Sequence, residues 1–208
     1  MKYGTRTGSV AKARNQCTIV GIYENGALTK SAEVIDKASE GYLQKILKRG
    51  DIKGRTNQIQ VLHDVPNIKA TRVMLVGLGK PETMDAARFA GIARAATNSL
   101  KSLAATQTLC CLNEVEIDDH DMCWRTEKLI ETFSAGFYRF TDYKGKKPEK
   151  NTQVETIEFS ASTRSEQNKL NRSIKAGSAL SAGVAEAKDL GNTPGNVCTP
   201  TYLADKAI

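Results

Sequence analysis

Five short, mainly apolar runs alternate along this chain with longer segments in which apolar residues recur at helical spacing. The runs are predicted strands at residues 17–23, 58–63, 72–76, 108–112 and 154–159. Helical spacing occurs in three series: Ile35 to Ile46, Ala86 to Leu103, and Met122 to Phe140. A polar loop is predicted at residues 143–152. Because parallel strands are joined by crossover helices, the alternation predicts an α/β fold with a mostly parallel sheet sandwiched by helices.

The composition allows one domain plus an appendage. Of the 208 residues, 40% are hydrophobic and 25% are charged, which is enough apolar material for a buried core. The chain has no run of about 18 apolar residues, and residues 1–10 lack the apolar stretch of a signal peptide. We therefore predict a cytoplasmic protein with no membrane partner.

The cysteines favour a reducing compartment. Cys17, Cys110, Cys111, Cys123 and Cys198 are odd in number and show no Cys-x-x-Cys spacing. Adjacent residues of a strand point to opposite faces, so Cys110 and Cys111 are poorly placed to share a metal ion. The prediction is five reduced thiols, most of them buried.

Residues 166–190 contain no proline and form one predicted long helix. Leu170, Ile174, Gly177, Ser181 and Val184 lie on a single stripe of this helix, and several of their neighbours are small. Small side chains let another backbone approach closely, although each glycine costs a helix about 1 kcal/mol relative to alanine. We interpret the segment as a connecting helix held between two domains.

The end of this helix is sharply punctuated. The helical run stops at Gly191, and Pro194 and Pro200 prevent a helix from continuing through the next residues. Thr199 and Pro200 are typical of the N-cap and first residue of a new helix, which has only the residues up to Ile208 available. This pattern predicts that the chain is a fragment whose chemistry lies beyond its C-terminus.

The segment NTPGNVCTPTYLA resembles the Asn-x-Pro-x-Asn-x-x-Thr-Pro-x-x-Leu-Ala signature that opens the catalytic domain of the leucyl aminopeptidases. The earlier segments QCTIVGIYE, LQKILKRGD and VMLVGLGK are similar to the N-terminal domain of bacterial members, so the resemblance extends over nearly the whole chain. It implies a macro-domain-like sheet in residues 1–163 and a connecting helix in residues 164–191. Residues 192–208 would be the truncated start of the metallopeptidase domain.

The resemblance implies a non-catalytic N-terminal domain of a two-metal exopeptidase that releases N-terminal residues, with leucine favoured, from peptides. Its implied cofactors are two divalent ions, manganese or zinc, and its implied partners are its own catalytic domain and a homohexamer. No segment here matches the family's metal-binding Asn-Thr-Asp-Ala-Glu-Gly-Arg. No catalytic residue and no metal ligand is therefore assigned in this chain, and the chain alone is predicted to be inactive.

The positive charge is concentrated. Residues 1–56 carry eleven Lys and Arg against five Asp and Glu, a net of +6, whereas residues 114–142 carry three against eight, a net of −5. The candidate nucleic-acid-binding residues are Lys45, Lys48, Arg49, Lys53 and Arg55. Such a cluster favours phosphate backbones through counterion release, and some bacterial relatives of this family bind DNA. The alternative is a solvated helix end, because cations also stabilise the C-terminus of a helix.

Two other candidate ligand sites are weaker. Gly77, Leu78 and Gly79 follow a predicted strand as in a dinucleotide-binding loop, but Glu82 stands where the third glycine belongs, so a tight turn is favoured. The acidic segment at residues 114–121 lacks the order and the glycine of a calcium loop, so a solvated loop is favoured. A macro-type pocket for an ADP-ribose-like nucleotide is a third class of function that stays open.

Overall fold

A computed structural model describes residues 1–143 and 154–207. The strands are β1 Lys2–Thr7, β2 Cys17–Ile22, β3 Ile59–His63, β4 Arg72–Gly77, β5 Gln107–Cys110 and β6 Thr156–Ala161. The α-helices are α1 Lys30–Ala38, α2 Tyr42–Arg49, α3 Ala86–Lys101, α4 Met122–Phe137, α5 Arg164–Asn192 and α6 Pro200–Ala207. Nearly all of the loop predicted at residues 143–152 lies outside the described residues.

One sheet of six strands organises the fold, in the order β1-β6-β5-β2-β4-β3. Every neighbouring pair is parallel except β3 and β4, which are antiparallel. All six residues of β2 are buried, as expected for a parallel strand that is covered on both faces. The predicted α/β class and mostly parallel sheet are confirmed.

Helices cover the sheet on both faces, with a hydrophobic core under each layer. Ile19 faces one core, which includes Phe89 of α3, Phe133 of α4 and Leu170 of α5. The next residue along the strand, Val20, faces the other core, to which α1 and α2 contribute. Because successive strand residues point to opposite faces, one apolar run supplies both cores.

Strand β1 was not predicted, because five of its six residues are polar or glycine. It lies at the edge of the sheet beside β6, and only Tyr3 is directed into the core. The Tyr3 hydroxyl lies 2.7 Å from Ser134 Oγ and donates to the carbonyl of Ile130 at 3.2 Å, while its ring stacks on Phe159 with centroids 6.2 Å apart. A single anchoring aromatic residue thus replaces the apolar alternation that would have marked a strand.

The series from Ile35 to Ile46 forms two helices rather than one. Glu40 and Gly41 between them have φ angles of 56° and 77°, which end α1 and turn the chain into α2. Two predicted helical positions, Leu103 and Phe140, lie just beyond the ends of α3 and α4. In each case the hydrophobic spacing continues into the following turn although the helix does not.

The predicted long helix is observed as α5, with 29 residues. Its glycine Gly177 is buried against α4, where a Cβ atom would lie 3.3 Å from Ile130 Cβ. The predicted close approach of another backbone is therefore made by α4 at this position. Thr199 accepts a hydrogen bond from Tyr202 N at 3.3 Å, which confirms it as the N-cap of α6. Among the helices described, α5 included, none has both the length and the apolar character needed to span a bilayer.

Candidate functional site

Ligands of open α/β sheets bind at the carboxyl ends of the strands, where the strand order reverses. In this sheet the reversal occurs around β2, because the chain crosses from β4 on one side of β2 to β5 on the other. The residues that follow these strands are Tyr23, Leu78 and Cys111. The surrounding loops are therefore the first place to look for a site.

The glycine loop at Gly77–Gly79 is held by hydrogen bonds inside the chain. Its three amides donate in turn to the carbonyls of Gln58 at 2.7 Å, Ile22 at 2.8 Å and Gly54 at 2.8 Å. Gly79 has φ 76°, and a Cβ there would collide with the side chain of Thr56. The amides that would cradle a phosphate already have acceptors, so the loop is the tight turn that was favoured over a dinucleotide site.

Glu114 occupies the N-terminus of α1. Its carboxylate accepts hydrogen bonds from Ser31 N at 2.8 Å and from Ser31 Oγ at 2.7 Å. A helix N-terminus attracts anions through its free amides and its dipole, and here the anion is a side chain of the same molecule. The expectation of a solvated acidic loop is therefore wrong for Glu114, which is half-buried and ties the end of β5 to α1.

The other acidic residues of this segment have separate local roles. Asp121 caps α4 by accepting from Trp124 N at 2.9 Å. Glu116 pairs with Lys30 at 3.6 Å, and both side chains are exposed. The ring of His120 stacks on Trp124 with centroids 3.7 Å apart.

The described acidic, imidazole and thiol side chains do not form a metal centre. Within residues 1–143 and 154–207, no three or more of them come together in a way that could hold a metal ion. These residues therefore do not fit the pair of divalent ions that the family resemblance implies, and no metal-dependent step is derived through them.

A buried arginine completes the crevice beside β2. Arg125 is buried and donates through Nη1 to the carbonyl of Val115. Burial lowers its pKa, while the nearby Glu116 and Asp121 favour the charged form. Burial also raises the pKa of Tyr23, and the negative charges of Glu116 and Glu114 raise it further. The crevice thus holds opposite charges that belong to the protein itself.

The basic cluster lies at the C-terminal end of α2 and in the loop that follows. Its five members are all exposed: Lys45, Lys48, Arg49, Lys53 and Arg55. Helix α2 ends at Gly50, which has φ 82°, and Arg49 contacts Asp51 at 2.8 Å. The cluster is accessible to an anionic partner, and the same positions also suit cations at a helix end.

The five cysteines are free thiols in the structure. Cys17, Cys110 and Cys111 are buried, whereas Cys123 and Cys198 are half-exposed. Cys110 contributes to the core beside α3 and Cys111 to the core beside α1, which confirms that they face opposite sides of the sheet. Burial raises the pKa of Cys17 and of Cys111 to about 12, and that of Cys110 also rises on burial.

Thiol reactivity should divide the five cysteines into two groups. At pH 8 a disulfide reagent should label Cys123 and Cys198 within minutes, because only accessible thiols with ordinary pKa values supply thiolate. The three buried thiols should react only in denaturant, where all five become titratable. Mass spectrometry of the labelled peptides gives the assignment, and Cys123→Ser should leave a single fast thiol. Fast labelling of Cys17 in the native chain would contradict this division.

Comparison with known proteins gives the family. The model of the N-terminal domain of the cytosol aminopeptidase family matches residues 19–147. A probable cytosol aminopeptidase of Photobacterium profundum and a cytosol aminopeptidase of Vibrio cholerae are each 36% identical to this chain over 207 residues. Both alignments cover 100% of this chain and 41% of the relative, so the chain spans about two fifths of the length of the curated relatives it matches.

Two solved structures share the fold. A tomato leucine aminopeptidase mutant superposes with a TM-score of 0.73 at 20% identity, covering 100% of this chain and 41% of that protein. The bottromycin maturation enzyme BotP, in complex with Mn, superposes with a TM-score of 0.65 at 19% identity, covering 92% of this chain and 35% of that protein. The fold thus defines a mostly parallel α/β domain that continues into a long helix. The family model matches more than half of the residues, and the chain belongs to the cytosol aminopeptidase family, in its N-terminal domain.

Proposed function

We propose that this chain is the non-catalytic N-terminal domain of a leucyl aminopeptidase, a two-metal exopeptidase that releases N-terminal residues from peptides. One observation carries the proposal. The whole chain aligns with cytosol aminopeptidases but accounts for only 41% of their length, and the matching family model is that of the N-terminal domain. In the parent enzyme this domain would help to build a homohexamer and to shape access to the active site.

The domain boundaries form part of the proposal. Residues 1–163 would be the N-terminal domain, residues 164–191 the connecting helix, and residues 192–208 the beginning of the catalytic domain. In support, β6 ends at Ala161, α5 runs over Arg164–Asn192, and the chain turns after Asn192 before it enters α6.

The chemistry of the parent would come from residues outside this chain. Two divalent ions, manganese or zinc, would lower the pKa of a bridging water and hold the substrate amine and carbonyl. The domain described here would bind neither ion. The cytosolic relatives support a cytoplasmic location for the parent.

The chain alone should show no aminopeptidase activity, because its described residues bring together no group that could hold a metal ion. The measurement is hydrolysis of leucine p-nitroanilide with added manganese or zinc. A chimera in which this chain replaces the matching region of the Vibrio cholerae enzyme should be active and chelator-sensitive. Chelator-sensitive turnover that follows the isolated chain through purification would refute its non-catalytic role, and a folded but inactive chimera would count against the parent assignment.

Nucleic-acid binding by the same domain is a second candidate function. The observation that favours it is the exposure of all five cations of the basic cluster within one surface region. A protein that neutralises phosphates with Lys and Arg releases counterions, so its binding weakens steeply as salt increases. The domain would then contact duplex DNA without reading its sequence.

Replacement of Lys48, Arg49 and Lys53 by Gln should flatten the salt dependence of DNA binding. Each lost phosphate contact lowers the slope of log affinity against log salt by about 0.9, so three contacts lower it by about 2.7. The matched control replaces two lysines and one arginine on the exposed side of α5, Lys169, Arg172 and Lys175, by Gln. Fluorescence anisotropy of a labelled duplex from about 50 to 200 mM salt gives both slopes. Equal slopes in the two triple variants would leave the cluster a solvated helix end.

A further inference from the structure

A groove of about 300 Å³ lies between the end of α4 and the second half of α5. Ala135 lines the α4 side, and Leu180, Val184 and Ala185 line the α5 side. Leu180 is 59% exposed and Val184 is 41% exposed, which is unusual for two large apolar residues one helical turn apart. The groove therefore presents an apolar stripe on an otherwise polar surface.

Contacts at one end hold the groove open. The hydroxyl of Tyr138, just after α4, donates to Asp189 at 2.7 Å and accepts from Asn192 Nδ2 at 3.2 Å. The ammonium group of Lys188 lies 5.1 Å from the centroid of the same ring. These contacts tie the end of α4 to the end of α5, so the groove has a fixed width before anything binds.

The second half of α5 lacks buried residues of its own. Leu170, Ser173 and Gly177 are buried against the sheet and α4, but no residue of the described range 178–207 is fully buried. At 1.5 Å per residue, the 29-residue helix is about 43 Å long, and about half of it extends past its last buried residue. A helix of this length draws most of its stability from packing of an apolar face, and here that face is open.

We infer that this groove is the docking site for the polypeptide that follows α6 in the longer relatives, an inference that rests on the proposed function. Lys206 of α6 pairs with Glu186 at 3.3 Å, so the chain leaves along the same half of α5 that carries the groove. A covalently attached segment acts at an effective concentration near the millimolar range. A second copy of the chain would have to bury about 800 Å² per partner to compete at ordinary concentrations.

The test compares one substitution at two sites. Val184→Asp places a charge in the groove, and Val34→Asp places the same charge on α1, where Val34 is 42% exposed and remote from the groove. Both are introduced into the chain alone and into the chimera with the Vibrio cholerae enzyme. Hydrogen exchange of residues 178–192 is measured in all six proteins, unsubstituted forms included.

The unsubstituted chimera should show at least about tenfold slower exchange at residues 178–192 than the chain alone, because docking buries this half of α5. Val184→Asp should abolish that gain in the chimera and have little effect in the chain alone, and Val34→Asp should leave the gain intact. If Val184→Asp prevents the chimera from folding, Val184→Thr should reduce the gain in the same direction.

Three results would overturn the inference. They are equal exchange in the chimera and the chain alone, an equal effect of the two aspartates, and a chimera that does not fold. A dimer of the isolated chain that Val184→Asp dissociates in sedimentation would identify a second copy as the occupant and also overturn it. Peptidase activity of the chimera reports separately on the proposed function, so an active chimera without slowed exchange refutes the groove alone.

Discussion

Replacing Gly77 with alanine should lower the free energy of unfolding by about 3 kcal/mol or more. A Cβ atom at this position would lie less than 3.0 Å from the backbone oxygen of Arg55, an overlap that a flexible side chain cannot relieve. The two segments also cannot separate freely. Gly77 N donates to the carbonyl of Gln58 at 2.7 Å, and the carbonyl of Gly77 accepts from Asn57 N at 3.0 Å. The added methyl group therefore has to break the turn that joins β4 to the loop after α2.

Gly4→Ala is the matched control, because Gly4 also lies in a strand of the same sheet. The nearest atom to its added Cβ would be Glu158 Cγ at 3.8 Å, an ordinary van der Waals contact. Its stability should stay within about 0.5 kcal/mol of the unsubstituted chain or rise slightly, since alanine has less backbone freedom to lose than glycine. Urea unfolding followed by circular dichroism measures both variants. A Gly77→Ala variant as stable as Gly4→Ala would show that the turn accommodates a side chain.

The sheet was predictable where burial on both faces leaves a continuous apolar run. Strands β2 and β4 have this property, and their predicted bounds differ from the observed ones by a single residue. Strand β1 has no such pattern, because it is an edge strand whose partner β6 lies about 150 residues further along the chain. Its position depends on Tyr3 and on pairing with a distant strand, and neither leaves a local signal in the sequence.

The chemistry at the carboxyl edge was less predictable than the fold. The glycine turn and the exposed basic cluster follow from local sequence, since both depend on residues within a few positions of one another. The contact between Glu114 and Ser31 joins residues 83 positions apart. Nothing local distinguishes Glu114 from its acidic neighbours, so only the folded chain shows that one carboxylate of the series caps a helix.

The family relationship came from a different kind of information. Composition, periodicity and charge predict an α/β domain with a long helix, and many unrelated functions share such a fold. The punctuated segment from Asn192 to Ala204 carries the resemblance through the identity and spacing of its residues. In the structure this segment forms the turn after α5 and the start of α6, and it buries no residue fully. Packing within the chain therefore does not explain its sequence.

Glu114→Ala should lower the free energy of unfolding by about 2 to 3 kcal/mol. A hydrogen bond to a charged group contributes about 1.5 to 3 kcal/mol, and this carboxylate accepts two bonds at a half-buried position. The substitution also leaves the amide of Ser31 without its acceptor at the N-terminus of α1. Ser31→Ala should cost less, because the amide still reaches the carboxylate when the hydroxyl is absent.

Glu116→Ala separates the loss of hydrogen bonds from the loss of charge. Glu116 is two residues away, its side chain is 83% exposed, and it makes only the surface pair with Lys30 at 3.6 Å, so its removal should change stability by about 0.5 kcal/mol or less. Both carboxylates raise the pKa of Tyr23, so either variant should lower that pKa in a spectroscopic titration of the phenol. Stability in turn should fall only when Glu114 is removed. Equal destabilisation by the two variants would mean that negative charge near α1, and not the pair of bonds to Ser31, stabilises this edge of the sheet.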